Sequence, residues 1–321
     1  MALAVTSLTN GSTTPTNLTG FTTASVSPAG GSLLILSLGA YDGTGTQDFT
    51  VASVSGLSLT WVSQKVTGAG SADKGDVEVW TAVCGASPGS GAITVTFTGA
   101  GFGLGAAAWA VDQVTGQNTS TPVVTGNTQA ANASSTAPAA TFAAAGGSSN
   151  LFYAMDVVLL GASGTVVQTP NESPTPWTAL DNIASSSAVN NNVALLTTIS
   201  PDVTNVNAAV SLNASHSWGM IGLELNAAAG VSVSLTTPNL ALAAPVLAPQ
   251  FPGAVTLTTP NLALAAPALT PAGSGAATVA LTTPNLALAA PALAPSGPPA
   301  ATAAQQGDSD RSGLLRKPFL W

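Results

Sequence analysis

Residues 76–84 read DVEVWTAVC, and their alternation decides the fold class. Val77, Val79 and Thr81 fall on one side of an extended chain, Glu78 and Trp80 on the other, because successive side chains of a strand point to opposite faces. The next apolar stretch, AITVTFTG (92–99), does the same, with Ile93, Val95 and Phe97 alternating with threonines. Working outward, SLLILSL (32–38), LSLTWVSQKV (57–66) and AAAWAVDQV (106–114) are further candidate strands, parted by Gly-, Ser- and Asn-rich breaks. Short β-branched and aromatic runs with turn residues between them predict an all-β sandwich. No stretch of this region pairs a 3.6-residue apolar period with helix caps.

The second part of the region restates the first. Gly30-Gly31-Ser32 opens one apolar strand, and Gly146-Gly147-Ser148 opens LFYAMDVVLL 116 residues later. Trp61 and Trp177 are also 116 apart. VEVWTAV is matched by NVALLTTI (192–199), AITVTFTG by NAAVSLNA (207–214), and AAAWAVDQV by SHSWGMIGLEL (215–225), which equates Trp109 with Trp218. The order predicts a pseudo-duplicated sandwich over residues 1–228, with four or five strands in each half. The tryptophans read first as core anchors, since each aromatic buries a large area; sugar stacking is the alternative role.

Only 6% of the 321 residues are charged, against about a quarter in ordinary globular proteins. Residues 1–228 hold 11 acids against Lys65 and Lys74, and 225–307 hold no charged residue. An acidic main region predicts no nucleic-acid partner, because phosphate binding needs a basic footprint. No window offers about 18 consecutive apolar residues, so no spanning helix and no membrane partner are expected. The opening MALAVTSLTNGS lacks a basic segment and long apolar core, and does not read as a secretory signal. Cys84 is the single cysteine and reads as a small buried hydrophobe.

Few residues suggest chemistry. His216 lies between Ser215 and Ser217, but no G-x-S-x-G elbow or orienting acid accompanies it. Its neighbours on a strand would point away from the ring. Asp73, Asp76 and Glu78 offer oxygen ligands of the kind calcium takes, without the spacing of an EF-hand loop. With Lys74 among them they read as a solvated loop entering a strand. GAGFGLG (99–105) lacks the basic residue of a phosphate loop. The sequons at Asn118 and Asn213 follow from a composition rich in Asn, Ser and Thr. The expectation is no catalytic residue, no metal and no cofactor.

From residue 229 the chain changes. LTTPNLALAAPVLAP (235–249), LTTPNLALAAPALTP (257–271) and LTTPNLALAAPALAP (281–295) are near-identical copies of one uncharged phrase. Near-exact repetition predicts a structural array. Val233, Leu235 and Thr237 alternate before Pro238-Asn239, and Leu240, Leu242 and Ala244 alternate after it, so each unit reads as two short strands around a break. One unit cannot bury its leucines alone. Leu235, Leu240 and Leu242, with Leu257, Leu262, Leu264, Leu281, Leu286 and Leu288, are therefore candidate partner-binding residues of an extended arm over 229–299. The end of the chain (300–321) supplies Arg316 and Lys317, then Phe319, Leu320 and Trp321. Aromatic and basic side chains together mark binding hot spots, and predict a segment that docks in an apolar pocket with an acidic rim.

The order GGSLLILSL, TWVSQ, VEVWTAV, ITVTF, WAVDQVTG resembles jelly-roll-like virion proteins of tailed bacteriophages over about residues 20–228. The repeat phrase resembles Ala- and Pro-rich tails of phage structural proteins. The resemblance implies a non-enzymatic component of the particle exterior, in a tail, fibre or other appendage, and transfers no catalytic residue. It implies other virion proteins as partners and a homo-oligomer, by analogy a trimer. Capsid decoration is the alternative within that class. A module recognising host-surface glycan is the alternative from another, with a polysaccharide depolymerase third.

Overall fold

The computed structural model describes residues 2–14, 18–42, 50–69, 75–98, 105–160, 166–171, 177–185 and 192–229, with backbone strands at 231–234 and 277–280. A 3-10 turn at Thr125–Asn127 apart, every regular element among them is a strand. The all-β expectation holds.

Eight strands build the first half: β1 (Ala4–Thr13), β2 (Gly20–Thr22), β3 (Leu33–Asp42), β4 (Val51–Gly56), β5 (Val62–Gly68), β6 (Gly75–Val83), β7 (Ile93–Phe97) and β8 (Gly105–Thr115). They form a five-stranded antiparallel sheet, β1-β8-β3-β6-β5, and a three-stranded one, β2-β7-β4. Eight more build the second: β9 (Gln129–Ser135), β10 (Ala139–Thr141), β11 (Leu151–Leu160), β12 (Gln168–Pro170), β13 (Thr178–Ala184), β14 (Asn192–Ser200), β15 (Asn207–Leu212) and β16 (His216–Leu225). Their sheets run β9-β16-β11-β14-β13 and β10-β15-β12. Adding eight to each strand number of the first half gives the second.

Three cores separate four layers. One packs the inward face of β2-β7-β4 (Phe21, Ile93, Val95, Phe97) against Leu34, Leu36, Leu38 and Trp109. Another packs Phe142, Ala208 and Val210 against Phe152, Val158 and Met220. The third lies between the two five-stranded sheets, where Leu33, Ile35, Val77 and Val79 meet Met155, Val157, Leu195 and Leu223. The five-stranded sheets are thus covered on both faces. That explains why β3 and β11 read as unbroken apolar runs, with all ten residues of β11 buried. The outer strand β7 keeps the buried–exposed alternation of a strand covered on one face.

The sheet-to-sheet junction has a two-fold character. β1 lies against β13 and β5 against β9; because β1 corresponds to β9 and β5 to β13, one rotation exchanges the two contacts. At its centre Ser37 of β3 meets Tyr153 of β11, Oγ to OH at 2.7 Å, and these residues are themselves 116 apart. Gly39 allows the close approach, since a Cβ there would lie 2.4 Å from Val157 Cγ1.

Several expectations shift in detail. Residues 57–60 are not strand: Leu57 (φ 57°) and Ser58 (φ 55°) both take the left-handed conformation and turn β4 into β5. β1 and β9 were not among the candidate strands, because VTSLTNGST and QAANASS lack apolar alternation. Trp109 and Trp218 occupy corresponding strands but not corresponding positions, for Trp109 is opposite Leu38 and Trp218 opposite Val158. The residue opposite Ala154, 116 after Leu38, is Gly222. A Cβ at Gly222 would stand 2.2 Å from Phe142 Cζ, so Phe142 fills the space there. In the first half Trp109 itself fills the core and stacks on Phe21 at 4.2 Å.

Candidate functional site

A buried acid in residues 1–228 has little prospect of a cation, since 11 acids share two lysines. Six are nonetheless buried, Asp76, Glu78, Asp112, Asp156, Asp181 and Glu224, none more than 5% exposed. Such a group must receive N–H and O–H donors or keep its proton. The chain does both.

Glu224, on β16, takes the first course. Oε1 accepts from Asn150 Nδ2 at 2.5 Å and from the Gly146 amide at 2.7 Å, and Oε2 accepts from Asn127 Nδ2 at 2.6 Å. Asn127 also exchanges hydrogen bonds with the Ala143 backbone. The Gly-Gly-Ser turn that opens β11 is therefore fastened to β16. The matching turn before β3 is fastened to β8 by amides, with Gln113 Oε1 accepting from the Ala29 amide and the Gln117 amide donating to Gly31 O. Gly31 sits at φ +70°, a conformation glycine adopts without strain.

At the junction, Tyr153 OH donates to Asp112 Oδ2 at 2.7 Å, so the bond with Ser37 has the serine donating. Asp181 Oδ1 accepts from Ser7 Oγ at 2.9 Å and Asn10 Nδ2 at 2.5 Å. Asp112 Oδ1 and Asp181 Oδ2 are buried without a hydrogen-bond partner. Burial, ahead of the neighbouring Asp181, holds Asp112 well above the ordinary carboxylate range.

Asp76 and Glu78, two apart on β6, face the first sandwich core side by side. Glu78 Oε1 accepts from the Val51 amide at 3.0 Å and Oε2 from Trp80 Nε1 at 2.6 Å. Asp76 Oδ2 is buried beside Glu78 without a hydrogen-bond partner. Burial first, and then that neighbour, raise Asp76 from 3.8 to about 9. Asp156, on β11, faces the second core with Gln168 Nε2 at 2.9 Å from Oδ2, and burial raises it to about 7. The reading of Asp76 and Glu78 as a solvated loop is thus corrected: both are 3% exposed and lie within a strand. Asp73 and Lys74 lie outside the described residues.

Through these hydrogen bonds Glu78, Asp112, Asp156, Asp181 and Glu224 tie neighbouring strands and turns together. No family model, curated protein or solved structure matches the chain. The geometry alone therefore bears on the remaining candidates. His216 begins β16, half-buried, with its basicity lowered by burial; Ser217 beside it is bonded to Ser134 Oγ at 3.0 Å. Asn118 Oδ1 caps its own turn, accepting from the amides of Ser120 and Thr121, and Asn213 Oδ1 accepts from the Val167 amide. Among the described residues no three His, Cys, Asp or Glu side chains gather as a metal site, and no helix is long and apolar enough to cross a membrane. Cys84 is buried, as expected, and Trp61, Trp109, Trp177 and Trp218 are each 8% exposed or less.

The candidate partner-binding residues all lie outside the described residues: Leu235, Leu240, Leu242, Leu257, Leu262, Leu264, Leu281, Leu286, Leu288, Arg316, Lys317, Phe319, Leu320 and Trp321. What the sequence reading missed is the set of buried acids. Its signal was present: a lone acid inside an apolar run, Asp112 in AAAWAVDQV, Asp156 in LFYAMDVVLL and Glu224 in MIGLEL.

Proposed function

We propose that the protein is a non-enzymatic structural component of a phage virion, its β-sandwich region displayed on the particle exterior and its repeat arm serving assembly in a tail, fibre or other appendage. The observation that supports this reading is strand order. In each half the first, eighth, third and sixth strands lie side by side and the second, seventh and fourth form the facing sheet. That order supports a jelly-roll-like reading, with the fifth strand at the edge of the larger sheet. A twice-repeated sandwich that seals six of its acids inside suits a durable scaffold. The uncharged arm supports self-association with other copies or binding to other virion proteins.

Labelling of intact virions with an antibody raised against residues 1–228 tests the proposal. Label confined to tail or fibre is the expected result. Label spread over the head would replace this reading with capsid decoration, and purified virions without the chain would overturn both.

A further inference from the structure

An open sheet has two edges, and an uncovered edge strand offers unpaired N–H and C=O groups to another chain. Most edges of the two sandwiches are covered or short. In the five-stranded sheets β1 lies against β13 and β5 against β9. In the three-stranded sheets β2, β10 and β12 are three residues each, and β12 closes on Pro170. That leaves β4, six residues long, whose only strand neighbour among the described residues is β7. It reads VASVSG, with no charge and no proline to discourage pairing.

A bulge at its start separates Val51 from Ser53, and the Val51 amide is taken by Glu78 Oε1. From Ser53 to Gly56 the pairing with β7 is regular. The core is less complete beneath this strand than beneath its neighbour. Ile93, Val95 and Phe97 of β7 are at most 4% exposed, whereas Val51, Val54, Leu57 and Leu59 are only partly buried.

The sequence of the edge has a symmetry of its own. VASVSGL (51–57) reads alike in both directions about Val54: serine at 53 and 55, alanine and glycine at 52 and 56, valine and leucine at 51 and 57. Two antiparallel copies centred on Val54 therefore set like against like, valine on valine and Ser53 on Ser55. A patch that complements itself in this way fits a two-fold pair. No charged residue stands on β4 to repel its copy.

We propose that β4 is a dimerisation edge, pairing antiparallel with β4 of a second copy of this chain, Val54 opposite Val54. The two three-stranded sheets then join into one of six strands. The partly buried valines and leucines of the margin gain those of the other copy as neighbours. Ser53 and Ser55 stay on the outer face, beside the exposed Thr96 and Thr94 to which they are paired.

Both serines are exposed, so substitutions there leave the sandwich intact. Opposed residues of antiparallel strands have Cα atoms about 4.5–5.5 Å apart, within the span of a disulfide. Full-length S53C and S55C chains, mixed and mildly oxidised, should give a dimer band on a non-reducing gel several-fold faster than either chain alone. Each cysteine then meets the other kind, and Cys84 is too buried to interfere. S53K/S55K sets lysine against lysine, and should halve the sedimenting mass of the full-length chain while its circular dichroism is unchanged. A wild-type chain that sediments as a monomer would overturn the proposal. So would an S53K/S55K chain as heavy as wild type, or a cysteine mixture that cross-links no faster than its components.

Discussion

Replacing Asp76 with asparagine should stabilise the protein, by an amount that grows with pH. In the fold Asp76 holds a proton up to about 9, whereas its ordinary value is 3.8. Between those limits the folded protein binds one proton that the unfolded chain has released. Stability contributed by that group is therefore greatest below the unfolded value and falls as pH rises. The slope is about 1.4 kcal/mol per pH unit for one proton, or roughly 4 kcal/mol between pH 4 and pH 7. Asp76→Asn puts a neutral side chain of the same shape in place of the carboxyl, so the pH term is removed. Urea unfolding of both proteins from pH 4 to pH 8.5 is the assay. The two should match near pH 4 and diverge steadily above it, the variant ahead. A difference that does not change with pH, or one that favours wild type as pH rises, would refute a proton held on Asp76. Asp156 adds its own slope between pH 4 and 7, but it cancels in the comparison.

Other outcomes follow from the junction and the domain boundary. Tyr153→Phe strands both the Ser37 hydroxyl and Asp112 Oδ2 without their partner and should cost about 2–4 kcal/mol, read as a lower urea midpoint at unchanged slope. Gly39→Ala pushes a methyl group into Val157 and should cost about 1–3 kcal/mol; adding Val157→Ala should recover part of that, a coupling a double-mutant cycle measures. Residues 1–228 expressed alone should give a far-ultraviolet circular-dichroism spectrum of β-structure, since both halves close their cores within that range; a helical spectrum would count against it.

How much could be read in advance depends on which face of a strand is covered. β6, β7 and β8 were legible because their valines, isoleucines and aromatics stand in runs bounded by turn residues. The duplication was legible in Trp61 and Trp177 and in the two Gly-Gly-Ser turns, whose spacing the junction repeats in Ser37 and Tyr153. β9 was not, for QAANASS carries no apolar alternation and gains its place by pairing with β16 and packing against β5. Asp76 and Glu78 read as a solvated loop, and the other buried acids drew no reading, because a single carboxyl in a sequence reveals nothing of its partner. Asp112 finds its hydrogen-bond donor, Tyr153, 41 residues away on a strand of the other half.

The meeting of Ser37 and Tyr153 also bears on how the two halves recognise each other. They occupy the same place in each half, so a pair of first halves would set serine against serine and leave a void. A pair of second halves would set two tyrosine rings in one space. Only the unlike combination fits. Divergence at that one contact has made the halves complementary rather than self-complementary, and a single chain delivers them in equal numbers at a high effective concentration. Severed between β8 and β9, the fragments should reassemble with one another and decline their own kind.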